Sequence, residues 1–145
     1  MTVVLHGLHP NDVAAAFAVL KEEIASIADR SCGRLTVAGL RDALASPNAD
    51  GGYRMVGWIA VDSADNSLLA IAIGGVETFD GGKHFKIYGI AGRDRKRWIH
   101  LREQIEEWAR AQGCTHSVFL ARKGYARDLP DYRLEHIELV KDLRP

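Results

Sequence analysis

The middle of the chain carries the hydrophobic pattern of three β-strands joined by turns too short to hold another element. Apolar residues alternate over residues 53–61, fill residues 68–76 and return over residues 84–90. The turns at residues 62–66 and 79–82 are polar and rich in Asp, Asn, Ser and Gly. Because a parallel connection needs a crossover of a dozen residues or more, the strands are predicted to form an antiparallel meander. The almost wholly apolar second strand is predicted to be central.

Helical periodicity precedes the meander. Apolar residues recur at spacings of three and four over residues 13–27, which predicts a helix with one apolar face. Asn11 or Asp12 is positioned to cap its first turn. Thr36 is positioned to cap a second, shorter helix before the meander begins.

The strongest helical signal follows the meander, over residues 95–112, and Gly113 stands where a left-handed C-cap is required. A full helix then separates the third strand from the apolar residues 117–120, so the strand predicted there should run parallel to it. Residues 125–129 are predicted to form a helical turn, and residues 134–140 a last strand.

Length and composition exclude several classes of protein. The 145 residues match one domain, predicted to span residues 1–145. The 19 basic and 19 acidic residues cancel, which argues against a sequence-specific or general nucleic-acid binder. No apolar stretch approaches the roughly 20 residues that cross a bilayer, and the N-terminus does not resemble a signal peptide, which predicts a cytoplasmic protein without membrane contact. Cys32, Cys114 and the six histidines lack ligand spacing, so no metal is expected.

The order helix, helix, three-strand meander, long helix, strand, short helix, strand is similar to the GNAT (GCN5-related N-acetyltransferase) fold. Residues 106–114 read E-E-W-A-R-A-Q-G-C, a phrase that resembles the end of the long helix in this family. The resemblance implies an α/β (α+β) acyl-CoA N-acyltransferase fold, with a mixed, mostly antiparallel twisted sheet flanked by helices.

More narrowly, the C-terminal half resembles small GNAT-like proteins encoded in the structural-gene regions of tailed bacteriophages. The phrases behind this are Arg97-Trp98, Ile105-Glu106-x-Trp108-Ala109-Arg110, Arg122-x-Gly124-Tyr125-Ala126-Arg127, Leu129-Pro130-x-Tyr132 and Lys141-Asp142-Leu143. The resemblance implies a virion or assembly component, head–tail or tail-associated, assembled in the bacterial host cytoplasm. Its partners would be other phage structural proteins or further copies of itself, as a homo-oligomer or around a ring.

An active GNAT enzyme holds acetyl-CoA on backbone amides at the start of its long helix, in the motif Arg/Gln-x-x-Gly-x-Gly/Ala. By resemblance, the coenzyme ligands of an active protein would be Ala91, Gly92, Arg93, Arg95, Lys96 and Arg97. Only Gly92 is small, and charged residues stand where the second glycine is expected. This predicts a non-catalytic protein without a cofactor. The basic residues Arg93, Arg95, Lys96 and Arg97 then form either a patch that faces a partner or a phosphate site built from side chains, and Asp94 is a plausible N-cap.

The resemblance also supplies catalytic candidates, which only matter if the protein is an enzyme. Glu77 is the candidate general base, Tyr125 the candidate general acid and Tyr132 the next choice. Each of the two tyrosines is more often a packing or hydrogen-bonding aromatic residue. Three functions stay open: a non-catalytic phage structural protein, an acetyl-CoA-dependent N-acetyltransferase acting on a small or protein amine, and a binding module that uses the cleft for another ligand.

Overall fold

The computed structural model of the chain describes residues 2–46, 55–121, 123–135 and 138–144. Its strands are β1 (Val3–Gly7), β2 (Val56–Asp62), β3 (Leu68–Phe79), β4 (Gly82–Gly92) and β5 (Cys114–Phe119). Its α-helices are α1 (Val13–Val19), α2 (Lys21–Asp29), α3 (Val37–Ala45) and α4 (Arg102–Ala111). The strands form one sheet in the order β1-β2-β3-β4-β5.

The pairing of the strands confirms the predicted meander. β2, β3 and β4 are antiparallel neighbours, β3 is central, and β5 is parallel to β4 across the connection that contains α4. β1, which pairs antiparallel with β2, was not predicted from the sequence. Its five residues are too few to show a clear alternation of apolar and polar side chains. The first predicted strand of the meander begins at residue 53, and residues 53 and 54 lie outside the described part of the chain.

Both faces of the sheet are covered by helices. One core lies between the sheet and α1, α2 and α3, and includes Val13, Leu20, Ile24, Leu40, Ile71 and Ile73. The other lies between the sheet and α4, and includes Trp58, Phe85, Ile87, Trp98 and Ile105. The apolar alternation of β2 therefore faces two cores, with Trp58 and Ala60 toward α4.

The predicted first helix is two helices, α1 and α2. Leu20 separates them with φ −100° and ψ 32°, outside the helical region, while its side chain is buried. Neither Asn11 nor Asp12 caps α1 through its side chain, which corrects the prediction. Instead Nδ1 of His9 accepts a hydrogen bond from the Asn11 amide at 3.1 Å and opens a short 3₁₀ turn, Pro10–Asp12. The proline that begins this turn fixes φ and leads the chain into α1.

Two predicted caps are confirmed. The Thr36 hydroxyl oxygen accepts a hydrogen bond from the Gly39 amide at 3.0 Å, at the start of α3. Gly113 has φ +87° and donates its amide to the Arg110 carbonyl at 2.9 Å, just after α4. Both caps depend on contacts within a few residues, which the sequence displays directly.

The predicted long helix is helical only in its second half. Two 3₁₀ turns, Arg95–Arg97 and Ile99–Leu101, replace its first half, and α4 begins at Arg102. Asp94 adopts the left-handed conformation with φ 55° and makes no capping hydrogen bond through its side chain, so the predicted N-cap is wrong. The first turns of this segment therefore do not present an α-helix N-terminus.

The last predicted elements have different outcomes. A 3₁₀ turn, Lys123–Arg127, occupies the place of the predicted helical turn. No strand is present among residues 134, 135 and 138–140, while residues 136 and 137 of the predicted strand lie outside the described residues. The side chains of Leu134, Leu139 and Val140 are exposed to solvent. Residue 122, which belongs to one of the phrases behind the phage resemblance, also lies outside the description.

Candidate functional site

A gap opens between β4 and β5 because the two strands pair over only part of their length. Their ladder ends where Ile87 faces Phe119, with a last, long hydrogen bond of 3.4 Å from the Leu120 amide to the Ile87 carbonyl. β4 continues to Gly92, with no β5 partner beyond Ile87. Beyond Ile87, the β4 carbonyls that point toward the gap can thus accept hydrogen bonds from a group that enters it.

A β-bulge in β4 lies at the start of this gap. Ile73 of β3 faces Gly89 and Gly74 faces Ile87, so Tyr88 is the extra residue. A bulge bends the strand that carries it and increases its twist. We infer that this bend separates the second half of β4 from β5.

Tyr125 occupies the gap. Its side chain is buried, and its hydroxyl donates a hydrogen bond to the Ile90 carbonyl at 3.3 Å. Its ring packs edge-on against Phe119, with centroids 5.2 Å apart. The Tyr125 hydroxyl therefore gives β4 a hydrogen-bond donor at Ile90, where β5 provides none.

Arg95 closes over Tyr125. Its guanidinium carbon lies 4.4 Å from the centroid of the Tyr125 ring, which is a cation–π contact. Its Nε lies 2.9 Å from a carboxylate oxygen of Asp128. Arg95, Tyr125 and Asp128 form a cluster that we call the Tyr125 latch.

Trp98 anchors the segment between β4 and α4. Its side chain is 5% exposed, and its indole nitrogen donates to the Arg93 carbonyl at 2.6 Å. The Arg93 amide in turn donates to the Leu69 carbonyl of β3 at 2.8 Å. The amides of Arg97 and Trp98 donate within the 3₁₀ turn, to Asp94 and Arg95. The amides of Arg93, Arg97 and Trp98 are thus satisfied inside the chain.

Ala91 and Gly92 serve packing. Ala91 is buried in the core under α1 and α2. A Cβ atom placed on Gly92 would lie 2.4 Å from the Ala70 Cβ and 2.4 Å from the Leu69 carbonyl oxygen. Gly92 is therefore required by the close approach of β3, whatever else binds beside it.

Arg97 binds the single buried charged side chain among the described residues. Asp62 lies at the end of β2 and is 6% exposed, and its carboxylate accepts a hydrogen bond from Arg97 at 2.7 Å. The other carboxylate oxygen accepts from the Ala64 amide at 2.9 Å. These donors, Arg97 first and then Ala64, lower the pKa of Asp62. The pair ties the segment before α4 to the β2–β3 turn.

The lowered pKa predicts how stability responds to acid. A carboxyl group whose pKa is lower in the folded state contributes stability above its unfolded pKa, about 3.9, and loses that contribution as pH falls through the folded value. We therefore expect Asp62→Asn to have a lower melting temperature than the wild type at neutral pH. Thermal unfolding followed by circular dichroism should show the difference shrinking below about pH 4.

The exposed Asp80 provides the control for this prediction. Asp80→Asn should unfold at the wild-type temperature at neutral pH. A difference between the wild type and Asp62→Asn that persists unchanged into strong acid would show that the Asp62–Arg97 pair does not titrate as proposed.

The four basic residues of the predicted patch have different environments. Arg93 donates to the Leu68 carbonyl at 3.1 Å, Arg95 belongs to the Tyr125 latch, and Arg97 binds Asp62. Lys96 is exposed and has no ion-pair partner among the residues that the structure describes. The predicted patch is thus partly internal, and Lys96 is the member whose charge is wholly available to another molecule.

Glu77 lies near the other end of β4, away from Tyr125. It faces His84 in the β3–β4 ladder, six residues from Ile90, or roughly 20 Å along the strand. Its carboxylate accepts a hydrogen bond from the Tyr88 hydroxyl at 3.3 Å and lies 3.8 Å from the Lys86 ammonium. Burial raises the pKa of Tyr88, and the neighbouring Glu77 charge adds to the increase.

Tyr132, the second candidate acid, is engaged in a network with α4 and β5. Its hydroxyl donates to Glu106 at 2.8 Å and so accepts from the Ser117 hydroxyl at 2.7 Å. Burial raises its pKa, and the hydrogen bond to Glu106 acts in the same direction. Arg102 and Asp131 extend the network at 2.8 Å, which holds the chain after the Tyr125 turn against α4.

Two features are absent from the described residues. No group of three or more histidine, cysteine, aspartate or glutamate side chains is arranged to hold a metal ion. No helix among these residues is long and apolar enough to cross a membrane.

Solved structures resemble this chain over nearly its whole length. An aminoglycoside acetyltransferase from an uncultured soil metagenomic sample, solved with sisomicin, superposes with a TM-score of 0.69 over 98% of this chain and 97% of its own, at 13% identity. A GNAT family acetyltransferase from Staphylococcus aureus superposes with a TM-score of 0.64 over 99% and 100% of the two chains, at 11% identity. The chain has a GNAT fold. A ribosomal-protein-alanine N-acetyltransferase from Brucella melitensis also superposes, with a TM-score of 0.66 over 99% and 100%, at 15% identity.

At these identities the likeness concerns the GNAT fold alone. No family model matches the sequence, and no curated protein sequence matches it. By the family resemblance of the sequence, the gap beside β4 and the segment of residues 93–101 are where a GNAT enzyme would hold its coenzyme. In this chain those two places contain the Tyr125 latch and the buried indole of Trp98.

The sequence analysis missed several residues that shape this site. Asp62 looked like part of a polar turn, and Trp98 looked like one apolar residue of a long helix. Asp128, which binds Arg95, had no distinguishing signal. One cue was available: a tryptophan directly follows three consecutive cations, and tryptophan side chains are highly buried on average.

Proposed function

We propose that the chain is a non-catalytic GNAT-fold protein that acts through contacts with other proteins, as a virion or assembly component of a tailed phage. One observation carries the non-catalytic part of the proposal. Tyr125 donates a hydrogen bond to the Ile90 carbonyl, and the Arg95 guanidinium lies over the Tyr125 ring. Nothing in this proposal requires a cofactor.

The contacts of Tyr125 favour a closed gap. A coenzyme entering beside β4 would have to displace a buried aromatic ring and take over its hydrogen bond to Ile90. It would also separate Arg95 from Asp128, which lie 2.9 Å apart. Moving a buried aromatic side chain into water costs about 1.5–3 kcal/mol before any ligand contact is gained.

The segment before α4 favours the same conclusion. Phosphate groups bind well at a helix N-terminus because several free amides point at them. Here the segment is a pair of 3₁₀ turns held by Trp98, and the amides of Arg93, Arg97 and Trp98 already donate within the chain. A pyrophosphate at this place would contact side chains, whereas a GNAT enzyme provides backbone amides there.

One observation supports a phage structural role over other non-catalytic roles, and a second supports a protein partner in general. The phrases of the C-terminal half resemble those of small GNAT-like proteins from phage structural-gene regions. Lys96 presents an unpaired charge on an exposed turn among the described residues, which suits the acidic surface of another subunit. Mass spectrometry of purified particles of the encoding virus should therefore detect the chain in a fixed ratio to other structural proteins.

Calorimetric titration with acetyl-CoA tests the non-catalytic proposal directly. We expect no binding heat at protein concentrations where micromolar affinity would be obvious, because a coenzyme beside β4 would have to displace Tyr125 and Trp98 from their contacts. The predicted acetyltransferase from Clostridium acetobutylicum that was solved with acetyl-CoA shares the fold and is a suitable positive control. Saturable binding of acetyl-CoA with micromolar affinity would overturn the proposal.

A second candidate function is an acetyl-CoA-dependent N-acetyltransferase acting on a small or protein amine. The position of Tyr125 favours it, since a hydroxyl in the gap beside β4 is placed to protonate a thiolate there. Glu77, the candidate base, is bound to Tyr88 and lies roughly 20 Å along the strand from Ile90, which counts against this candidate. Under this candidate, Tyr125→Phe lowers kcat and leaves KM for the coenzyme nearly unchanged. The non-catalytic proposal instead predicts no turnover in either protein.

A further inference from the structure

Two histidines lie side by side on the neighbouring strands β4 and β5. The imidazole rings of His84 and His116 have centroids 4.7 Å apart, with their planes at 44°. Phe85 and Phe119 belong to the core under α4, so the alternation of side chains places both histidines on the opposite face of the sheet. There His84 is half-buried and His116 is exposed. Imidazole is the commonest side-chain ligand of metal ions, which makes this pair a candidate site.

A β-bulge in β5 produces the pairing. Lys83 faces Cys114, and the next residue of β4, His84, faces His116, so Thr115 is the extra residue of β5. In a regular ladder His84 would face Thr115, and the side chain of His116 would lie on the α4 side of the sheet. Bulges re-aim side chains in this way and are common beside functional sites.

Thr115 also orients the ring of His116. Its hydroxyl donates to the Lys83 carbonyl at 3.1 Å and lies 2.8 Å from Nδ1 of His116. The hydroxyl has one proton and the carbonyl can only accept, so both contacts are hydrogen bonds only when Nδ1 carries a proton and donates to Thr115. In that tautomer of the neutral ring, Nε2 has a free lone pair. Metal-binding histidines are usually held by such a bond from their other nitrogen.

His84 is held by ring contacts. The Phe79 ring packs beside it, with centroids 5.0 Å apart. Among the described residues, no group forms a hydrogen bond with either nitrogen of His84. Glu77 faces His84 in the β3–β4 ladder and supplies a negative charge on the same face, part of which the Lys86 ammonium offsets at 3.8 Å.

The separation of the two rings fits one metal ion between them. With metal–nitrogen bonds of about 2.1 Å meeting at about 90–110°, the two ring centroids would lie about 4.5–5.2 Å apart. The 4.7 Å in this chain falls inside that range. Because no third histidine, cysteine or carboxylate completes the set among the described residues, water would fill the remaining positions of the ion.

We propose that His84 and His116 form a two-imidazole site for a divalent transition-metal ion, with Thr115 as its positioning residue. Nitrogen ligands select Ni²⁺, Cu²⁺ or Zn²⁺ over Mg²⁺ and Ca²⁺, which prefer oxygen. The sequence analysis expected no metal, because these two histidines are far apart along the chain. The site lies roughly 20 Å along β4 from Ile90, so the proposal is independent of whether the gap beside β4 binds a coenzyme.

Calorimetric titration of the full chain with nickel chloride tests the proposal. We expect the wild type to bind one Ni²⁺, and His84→Ala and His116→Ala to bind it at least about tenfold more weakly, because one imidazole cannot chelate the ion. Thr115→Val keeps both imidazoles and removes the hydroxyl that orients His116, so it should weaken binding about tenfold. His100→Ala is the matched control, since it removes another exposed histidine, and its affinity should stay within about twofold of the wild type.

Pulsed electron paramagnetic resonance with Cu²⁺ provides the second readout. The wild type should show two imidazoles bound to the copper, and His116→Ala one. Because His116 is exposed, its replacement leaves the core intact and decides the result even if His84→Ala does not fold. A wild type that binds no Ni²⁺ overturns the proposal. Wild-type affinity in His116→Ala overturns it as well, since the ion would then be bound elsewhere on the chain.

Discussion

Replacing Trp98 with alanine should lower the free energy of unfolding by about 3–5 kcal/mol, the largest single effect that we expect. The indole is 5% exposed and belongs to the core between the sheet and α4. Alanine would leave a large cavity there, and the Arg93 carbonyl would lose the hydrogen bond that it receives at 2.6 Å. Urea unfolding followed by circular dichroism measures the change.

Trp98→Phe separates the two contributions. It keeps most of the ring volume and removes the donor, so it should cost less than alanine, with about 1 kcal/mol from the lost hydrogen bond alone. Phe79→Ala is a control for removing an aromatic side chain, since Phe79 is half exposed and lies at the far end of β3. A loss below about 1 kcal/mol for Trp98→Ala would mean that the indole does not anchor the segment before α4.

Replacing Gly92 with alanine should cost about 1–3 kcal/mol, because the added Cβ overlaps groups that are slow to move. Two of the three nearest atoms, the Leu69 carbonyl oxygen and the Ala70 Cα, belong to the backbone of β3, and the third is the Ala70 Cβ. The strand pair must therefore separate locally, which also strains the Arg93 amide bond to Leu69. Thermal or urea unfolding measures the loss.

Gly81 provides the matched control. A Cβ placed on Gly81 meets nothing within 4 Å, and Gly81→Ala should leave stability unchanged or slightly higher. If Gly92→Ala were as stable as the wild type, packing against β3 would not require a glycine at position 92. The case for a coenzyme role at that position would then be stronger.

The secondary structure was largely predictable where local rules decide it. The meander depended on the alternation of side chains and on turn length, and the caps at Thr36 and Gly113 depended on neighbours three residues away. The predictions failed where a distant contact competed with local propensity. The first turns of the long helix gave way to 3₁₀ turns where Trp98 enters the core, and the helix over residues 13–27 divided at the buried Leu20.

The candidate site was predictable only in part. The crowding after Gly92 was visible in the sequence as four bulky cations where small residues were expected. The partners of those cations were not visible, because Asp62 and Asp128 look like ordinary loop residues. Whether Glu77, Tyr125 or the basic residues act in binding or catalysis stays a prediction for the experiments above.

The sequence by itself determined the class of the fold, since the period of apolar residues and the length of connections leave few ways to order one meander, one long helix and one parallel strand. Only the tertiary structure decided what fills the gap beside β4 and what holds the segment before α4. The contacts that do so, Tyr125 with Ile90 and Arg97 with Asp62, each join residues 35 positions apart. Contacts at that separation leave no periodic trace in a single sequence, because they arise only after the sheet has brought the strand ends together.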